Sequence, residues 1–262
     1  MSREKDRKDF PWWLVVVALL GLGLFYRIMV DDLQKQILAT LLRGVQITVF
    51  VTLVGFVLAA GLGLIVALMS LSRSLILRQV ARFYTEVVRG IPMLVLLLYV
   101  AFVLAPGLVA LGNWMLEFVG FERIRTRDFS LLWRAIIALT IGYSAFIAEV
   151  FRAGLLSVDP GQIEAADALG LSRVQRFRLV VFPQAIRTIL PPLGNDFIAI
   201  TKDSSLVSVL GVLDVTQLGK ITAAGNFRYF ETYNVVALIY LTMTIGLSLA
   251  LRRLEQHLRQ KP

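Results

Sequence analysis

The chain has 262 residues, no cysteine and one histidine, with 57% of it hydrophobic, a mean hydropathy of +0.74 and a formal net charge of +9. Soluble domains hold about 45–50% apolar residues in short runs, whereas Trp12 to Tyr26 and Ile91 to Trp114 carry no charge at all, so the composition describes a multi-span membrane protein. The lack of cysteine excludes a disulfide framework and thiolate metal sites, and a lone His257 in a charged tail excludes a histidine zinc site or a Ser/His/Asp triad.

Hydropathy predicts six spans, all helical because lipid cannot satisfy open backbone groups. The first, Trp12 to Val30, has 15 charge-free residues behind a basic start, a pattern that also fits a signal peptide. No small-x-small cleavage site follows Phe25, Tyr26 and Arg27, so it is read as a retained helix. Leu33 to Leu42 are expected as an amphipathic helix along the outer interface. In the second span, Val45 to Leu71, Gly61 and Gly63 with Ala59 and Ala60 suit close helix packing rather than phosphate binding. The third span, Val87 to Val109, starts beside Glu86 and Arg89, and the fourth, Leu131 to Phe151, ends beside Glu149 and Arg152. Each pair is three residues apart, the spacing of a structural ion pair on one helix face.

Between the fourth and fifth spans lie organised residues too polar to insert. Asp159-Pro160-Gly161 make a turn with a cap and a first-turn proline. Ile163, Ala166 and Leu169 recur at helical spacing as far as Gly170, where a left-handed residue ends the helix. A second short helix is expected from Ser172 to Pro183, with Val174, Phe177 and Val181 on one side and Arg173, Arg176 and Arg178 largely on another. The pattern alone fits two readings, a surface hairpin packed on its own helices or a docking element for a soluble partner.

The fifth span, Ile186 to Leu213, carries Asn195 and Asp196 about 15 Å along the helix, near the midplane of a ~30 Å core, with Lys202, Asp203, Ser204 and Ser205 about two turns later. Charges there must face a cavity or partner helices, since lipid exposure costs several kcal/mol. They either tie helices together around Pro191-Pro192 or line a passage. The sixth span is Val235 to Leu251. With the N-terminus inside, sixteen basic residues fall in inner segments, among them Arg3, Lys5, Arg7, Lys8, Arg73 and Lys261, against eight outside, among them Arg43, Arg123 and Lys220. The excess puts both termini in the cytoplasm and assigns the net charge to topology and anionic lipid, not to nucleic acid.

The run Glu164-Ala165-Ala166, then Gly170 and Val180-Val181-Phe182-Pro183, resembles the EAA loop of ABC importer permeases, with Val180 and Phe182 as conservative departures. Glu149-Val150-Phe151-Arg152-Ala153-Gly154, Pro160-Gly161-Gln162, Pro183-Gln184-Ala185, Leu190-Pro191-Pro192 and Lys202-Asp203-Ser204-Ser205-Leu206 narrow the resemblance to the polar amino acid uptake subfamily, the histidine, glutamine and glutamate type. Upstream, Glu86-Val87-Val88-Arg89-Gly90-Ile91-Pro92 fits its second core helix. The resemblance spans roughly residues 37–255 and implies an all-α polytopic fold: a five-helix permease core with a coupling loop at 157–185. Residues 1–36 would add a cytoplasmic N-terminus and one transmembrane helix, and 252–262 a cytoplasmic tail.

The resemblance further implies the permease subunit of an ATP-driven importer for polar amino acids in a prokaryotic inner membrane. Its partners would be a second permease copy or homologue, a cytoplasmic ATPase that receives the EAA loop, and an extracytoplasmic binding protein. Glu164, Ala165, Ala166, Gly170 and Pro183 then belong to the coupling loop, and Asn195, Asp196, Lys202, Ser204 and Ser205 to the substrate path. No enzymatic activity, cofactor or metal is expected on this chain, ATP and Mg being bound by the ATPase. A Walker A loop is missing, since the sole Gly-Lys pair, Gly219-Lys220, is followed by Ile221 and has Asp214 in the first glycine position. The alternative is an ion-gradient-driven amino acid transporter with Asp196 as its coupling carboxylate.

Overall fold

Side-chain caps at Asp31, Ser130, Asp159, Ser172 and Asp214 start five of the helices in the computed structural model, which describes residues 12–117 and 125–259. Arg3, Lys5, Arg7, Lys8, Arg123 and Lys261, counted above for topology, lie outside the described residues. Helix α1 (Trp12–Val30) stops at Asp31, whose carboxylate accepts from the Leu33 amide at 2.9 Å and so caps α2 (Asp32–Ser70). The expected interfacial helix and second span are therefore one helix of 39 residues, about 58 Å long. Nothing breaks it, because no proline intervenes and Gly44 is used for contact instead: a Cβ there would stand 2.6 Å from the Val215 amide nitrogen.

Helix α3 (Leu75–Gly90) ends before Ile91-Pro92, where proline forces the preceding residue into an extended conformation (φ −97°, ψ 128°). The chain resumes as α4 (Met93–Tyr99), a π turn at Val100–Leu104, and α5 (Ala105–Glu117). The third span is thus Met93–Met115, and α3 is a separate helix before it. The π turn ends two residues before Pro106, and a second one, at Phe177–Val181, ends two residues before Pro183. Each widens the helix where the proline lacks a donor and its ring crowds the preceding turn.

Ser130 caps α6 (Leu131–Leu156), the central helix, whose Ala135, Ile136, Ala138, Leu139, Ala145 and Ile147 are fully buried. Arg134 is buried in its first turn without an acidic partner in the described structure, and instead donates to the carbonyls of Phe129 (2.9 Å) and Ala101 (3.0 Å). Next come α7 (Pro160–Ala168) and α8 (Arg173–Arg176). Through the second π turn α8 runs on into α9 (Phe182–Asp203), which continues through Pro191 and Pro192 without a break. The second short helix expected from Ser172 to Pro183 is consequently the start of the fifth span's helix rather than a separate element.

A 3-10 turn (Ser204–Leu210) closes at Gly211, φ +78°, and Asp214 caps α10 (Val215–Asn226), a helix within what hydropathy treats as an outer loop. The last helix, α11 (Tyr229–Arg259), includes most of the expected tail. Among the described residues, four helical segments are long and apolar enough to cross a membrane: Asp32–Ser70, Met93–Met115, Leu131–Leu156 and Tyr229–Gln256. Leu14–Val30 is apolar but shorter, and α9 carries Arg187, Asp196, Lys202 and Asp203. No strand occurs among the described residues. The main core joins α2, α4 and α6 through Val51, Leu97, Ile136, Leu139 and Ile147, to which α9 adds Ile200. Helix α1 packs by Ile28 onto Ile37, Leu41, Val235 and Ile239.

Candidate functional site: a carboxylate-bearing chamber

Beside the break at Gly90-Ile91-Pro92, helices α3, α4, α6 and α9 leave a cavity of about 460 Å³, within the range of small-molecule sites. Gly142 faces the cavity, and the end of the flexible Met93 side chain packs where a Cβ would stand. Asp196 and Asp203 enter from α9, Tyr143 and Phe146 from α6, and Arg89 from the end of α3. The Tyr143 hydroxyl donates to Asp203 Oδ2 at 2.8 Å. Asp196 Oδ2 is buried and has no hydrogen-bond partner among the described residues. A buried carboxylate oxygen without a donor is costly, so this chamber is suited to a ligand that brings one.

A second cavity, of about 380 Å³, lies among the ends of α2, α3 and α6. It is lined by Arg78, Arg82, Glu86, Arg89, Glu149 and Arg152, with Ser70, Gln79 and Thr85. Tyr84 holds α3 to α6 through Ser144 Oγ (2.6 Å) and the Ile141 carbonyl (3.1 Å). Glu149 and Arg152 form the ion pair that their spacing suggested, at 2.7 Å. Glu86 and Arg89 do not pair: the Arg89 guanidinium stands over the Phe146 ring, 5.5 Å from its centroid. Helical spacing permitted the pair, but α6 offers Arg89 an aromatic face at the end of its helix.

The polar residues expected in span five do not act as one group. Asp196 and Asp203, seven apart, share the chamber face of α9, whereas Asn195 and Lys202, also seven apart, are exposed on another face. Ser204 is fully buried and donates to the Thr201 carbonyl at 2.7 Å, and Ser205 is half-buried; neither lines the chamber. Tyr143 joins the site without having been expected in it, and Asp203, grouped with the charges of span five but not with the expected substrate path, joins it through its seven-residue spacing from Asp196.

The loop between α6 and α9 is an ordered knob. The Asp159 carboxylate caps α7 through the Gly161 amide at 2.7 Å. At its other end the Gly170 amide donates to the Asp167 carbonyl (3.0 Å) and Leu171 to Ala166 (3.2 Å), the bonding of a Schellman turn, with Gly170 at φ +72°. Arg176 then pairs with Asp167 at 2.6 Å across the turn. Ala166 is buried beneath, while Glu164, Ala165, Gly170 and Pro183 are exposed, as are the apolar side chains of Leu169, Val174 and Leu179.

Residues 59–261 match the family described as binding-protein-dependent transport system inner membrane component. The chain is 37% identical to the probable amino-acid permease protein YxeN of Bacillus subtilis, over 85% of this chain and 92% of that protein. It is 43% identical to the glutamine transport system permease protein GlnP of Escherichia coli over a shorter stretch, 54% of this chain and 63% of that one. A chain from the crystal structure of an amino acid ABC transporter with histidines superposes with a TM-score of 0.71 at 36% identity, covering 87% of this chain and 98% of that one.

Proposed function

Because the chain belongs to the binding-protein-dependent transport system inner membrane components, we propose that its chamber is a station for a polar amino acid on its way through the membrane. The protein is a permease subunit of an ABC importer for polar amino acids, which sets aside the ion-gradient alternative. The observation that carries the chamber reading is Asp196 Oδ2, buried in a cavity and without a donor among the described residues. An ammonium group supplies three donors and a positive charge, so the amino group of the substrate meets Asp196, with Asp203 held beside it by Tyr143.

Asn195 and Lys202 need cover of their own, because neither tolerates lipid at this depth. A second permease copy, or a homologous one, supplies it across the α9 face that carries them. The exposed knob of α7 and α8 seats on a cytoplasmic ATPase subunit, which hydrolyses ATP and holds its Mg, and an extracytoplasmic binding protein delivers the amino acid. Both termini are cytoplasmic, so a reporter fused after Pro262 should be active only inside. The test of the whole reading is uptake by the complex reconstituted in vesicles. Uptake that requires ATP and the binding protein and persists when ion gradients are collapsed supports it; uptake that follows an imposed gradient without ATP would refute it.

A further inference from the structure

Among the described residues, Arg89 is the one that lines both the carboxylate-bearing chamber and the arginine-rich cavity beside it. Resting on the proposal that an amino acid occupies the chamber, we infer that Arg89 is the group that receives the α-carboxylate of that amino acid and turns it toward the second cavity. Its donors are not spent within the described chain: it forms no ion pair there with Glu86 one turn earlier, and it stands over the Phe146 ring at 5.5 Å. A guanidinium held over an aromatic face by cation–π attraction still has its N–H groups for a planar anion, and their fork suits a carboxylate.

The other charges of the chamber leave this role to Arg89. Asp196 and Asp203 are both acceptors for cations, and Tyr143 already donates its proton to Asp203. Lys202 lies on a different face of α9, six residues from Asp196 and so about 120° around the helix, and does not line the chamber. A zwitterion with its ammonium on Asp196 therefore has one guanidinium within the same cavity for its other end. Beyond Arg89 the second cavity presents Arg78, Arg82 and Arg152 against Glu86 and Glu149, and Arg152 is already paired with Glu149. The carboxylate end of a substrate thus meets excess positive charge on leaving the chamber, while its ammonium is drawn back.

The chain has no cysteine, so Ala199→Cys on the chamber wall gives a single thiol in the permease. The permease is assembled with a thiol-free ATPase in lipid nanodiscs, and the rate of maleimide labelling is followed against L-glutamine, L-histidine and L-arginine. The same titration uses γ-aminobutyramide, histamine and agmatine, the same molecules without the α-carboxyl group. The expected result is protection by at least one amino acid and much weaker protection by its amine. Arg89→Gln should raise the half-protecting concentration of the amino acid by roughly ten- to a hundred-fold, the loss expected for a charge-assisted hydrogen bond, and abolish the preference over the amine. Arg89→Lys, which keeps the charge, should retain part of that preference and carries the test if Arg89→Gln fails to assemble. Wild-type protection and preference in Arg89→Gln, or equal losses in assembled Arg89→Gln and Arg89→Lys, would overturn the role of Arg89 while leaving the chamber in place if Asp196→Asn weakens protection. Labelling unaffected by every probe in the unsubstituted background would overturn the chamber reading itself.

Discussion

The Tyr143 hydroxyl on α6 donates to the Asp203 carboxylate on α9 at 2.8 Å, joining two helices at the wall of the chamber. Asp203 is thereby held in place, whereas Asp196, two turns earlier on the same helix, has an oxygen left over. Tyr143→Phe keeps the ring and removes only the donor. It should destabilise the purified complex modestly, by about 1–3 kcal/mol, and reduce uptake by leaving Asp203 free to compete with Asp196 for the substrate ammonium. Thermal unfolding and initial uptake rates in vesicles check the two effects separately, and unchanged uptake would remove Asp203 from the site.

Two glycines of α2 should respond in opposite ways. At Gly44 an added Cβ would lie 2.6 Å from Val215 N and 2.7 Å from Asp214 C, backbone atoms that cannot turn aside. Around Gly61 nothing lies within 4 Å. Gly44→Ala should therefore separate α2 from the start of α10 and lower the melting temperature of the complex markedly, whereas Gly61→Ala should leave it unchanged or raise it, helix propensity adding up to about 1 kcal/mol of stability. Equal melting temperatures for the two variants would contradict the close approach at Gly44.

Coupling to the ATPase is tested at the knob. Gly170 has φ +72° with no atom near a prospective Cβ, so the cost of Gly170→Val comes from the backbone, about 1–2 kcal/mol with a further penalty for branching. The turn would reopen and move α7 relative to α8, and the Asp167–Arg176 pair would be lost with it. Glu164→Lys reverses an exposed charge without touching the fold. Both variants should insert and express, yet copurify less ATPase or lose hydrolysis stimulated by the loaded binding protein. Normal values for both measurements would mean that residues 160–183 are not a coupling surface.

Much of this architecture is legible in the chain. Helix ends at Asp159 and Gly170 follow from capping chemistry that acts over a few residues, and the Glu149–Arg152 pair from spacing on one helix. The rest depends on what lies across from a residue. Asn195 and Asp196 are neighbours in sequence, but one residue turns the side chain by about 100°, so one is exposed and the other enters the chamber. Spacing alone makes Arg89 a partner for Glu86, but the break at Ile91-Pro92 and the position of α6 place Phe146 beneath it. The continuous path from α8 into α9 is hidden because Pro183 reads as a stop, whereas a π turn accommodates it. Arg134 lies in the first turn of α6, and the backbone carbonyls that satisfy it come from segments that pattern alone does not bring together.

The central claim is that the Asp196 carboxylate holds the substrate's ammonium, and Asp196→Asn tests it most directly because the side chain keeps its shape and loses its charge. The measurement is ATP-dependent uptake in vesicles containing the variant permease, its ATPase and the binding protein, normalised to the amount of assembled complex. Uptake should fall by on the order of ten-fold or more, with ATPase copurification unchanged. Uptake within about two-fold of the unsubstituted complex, a difference of well under 1 kcal/mol, would contradict the assignment.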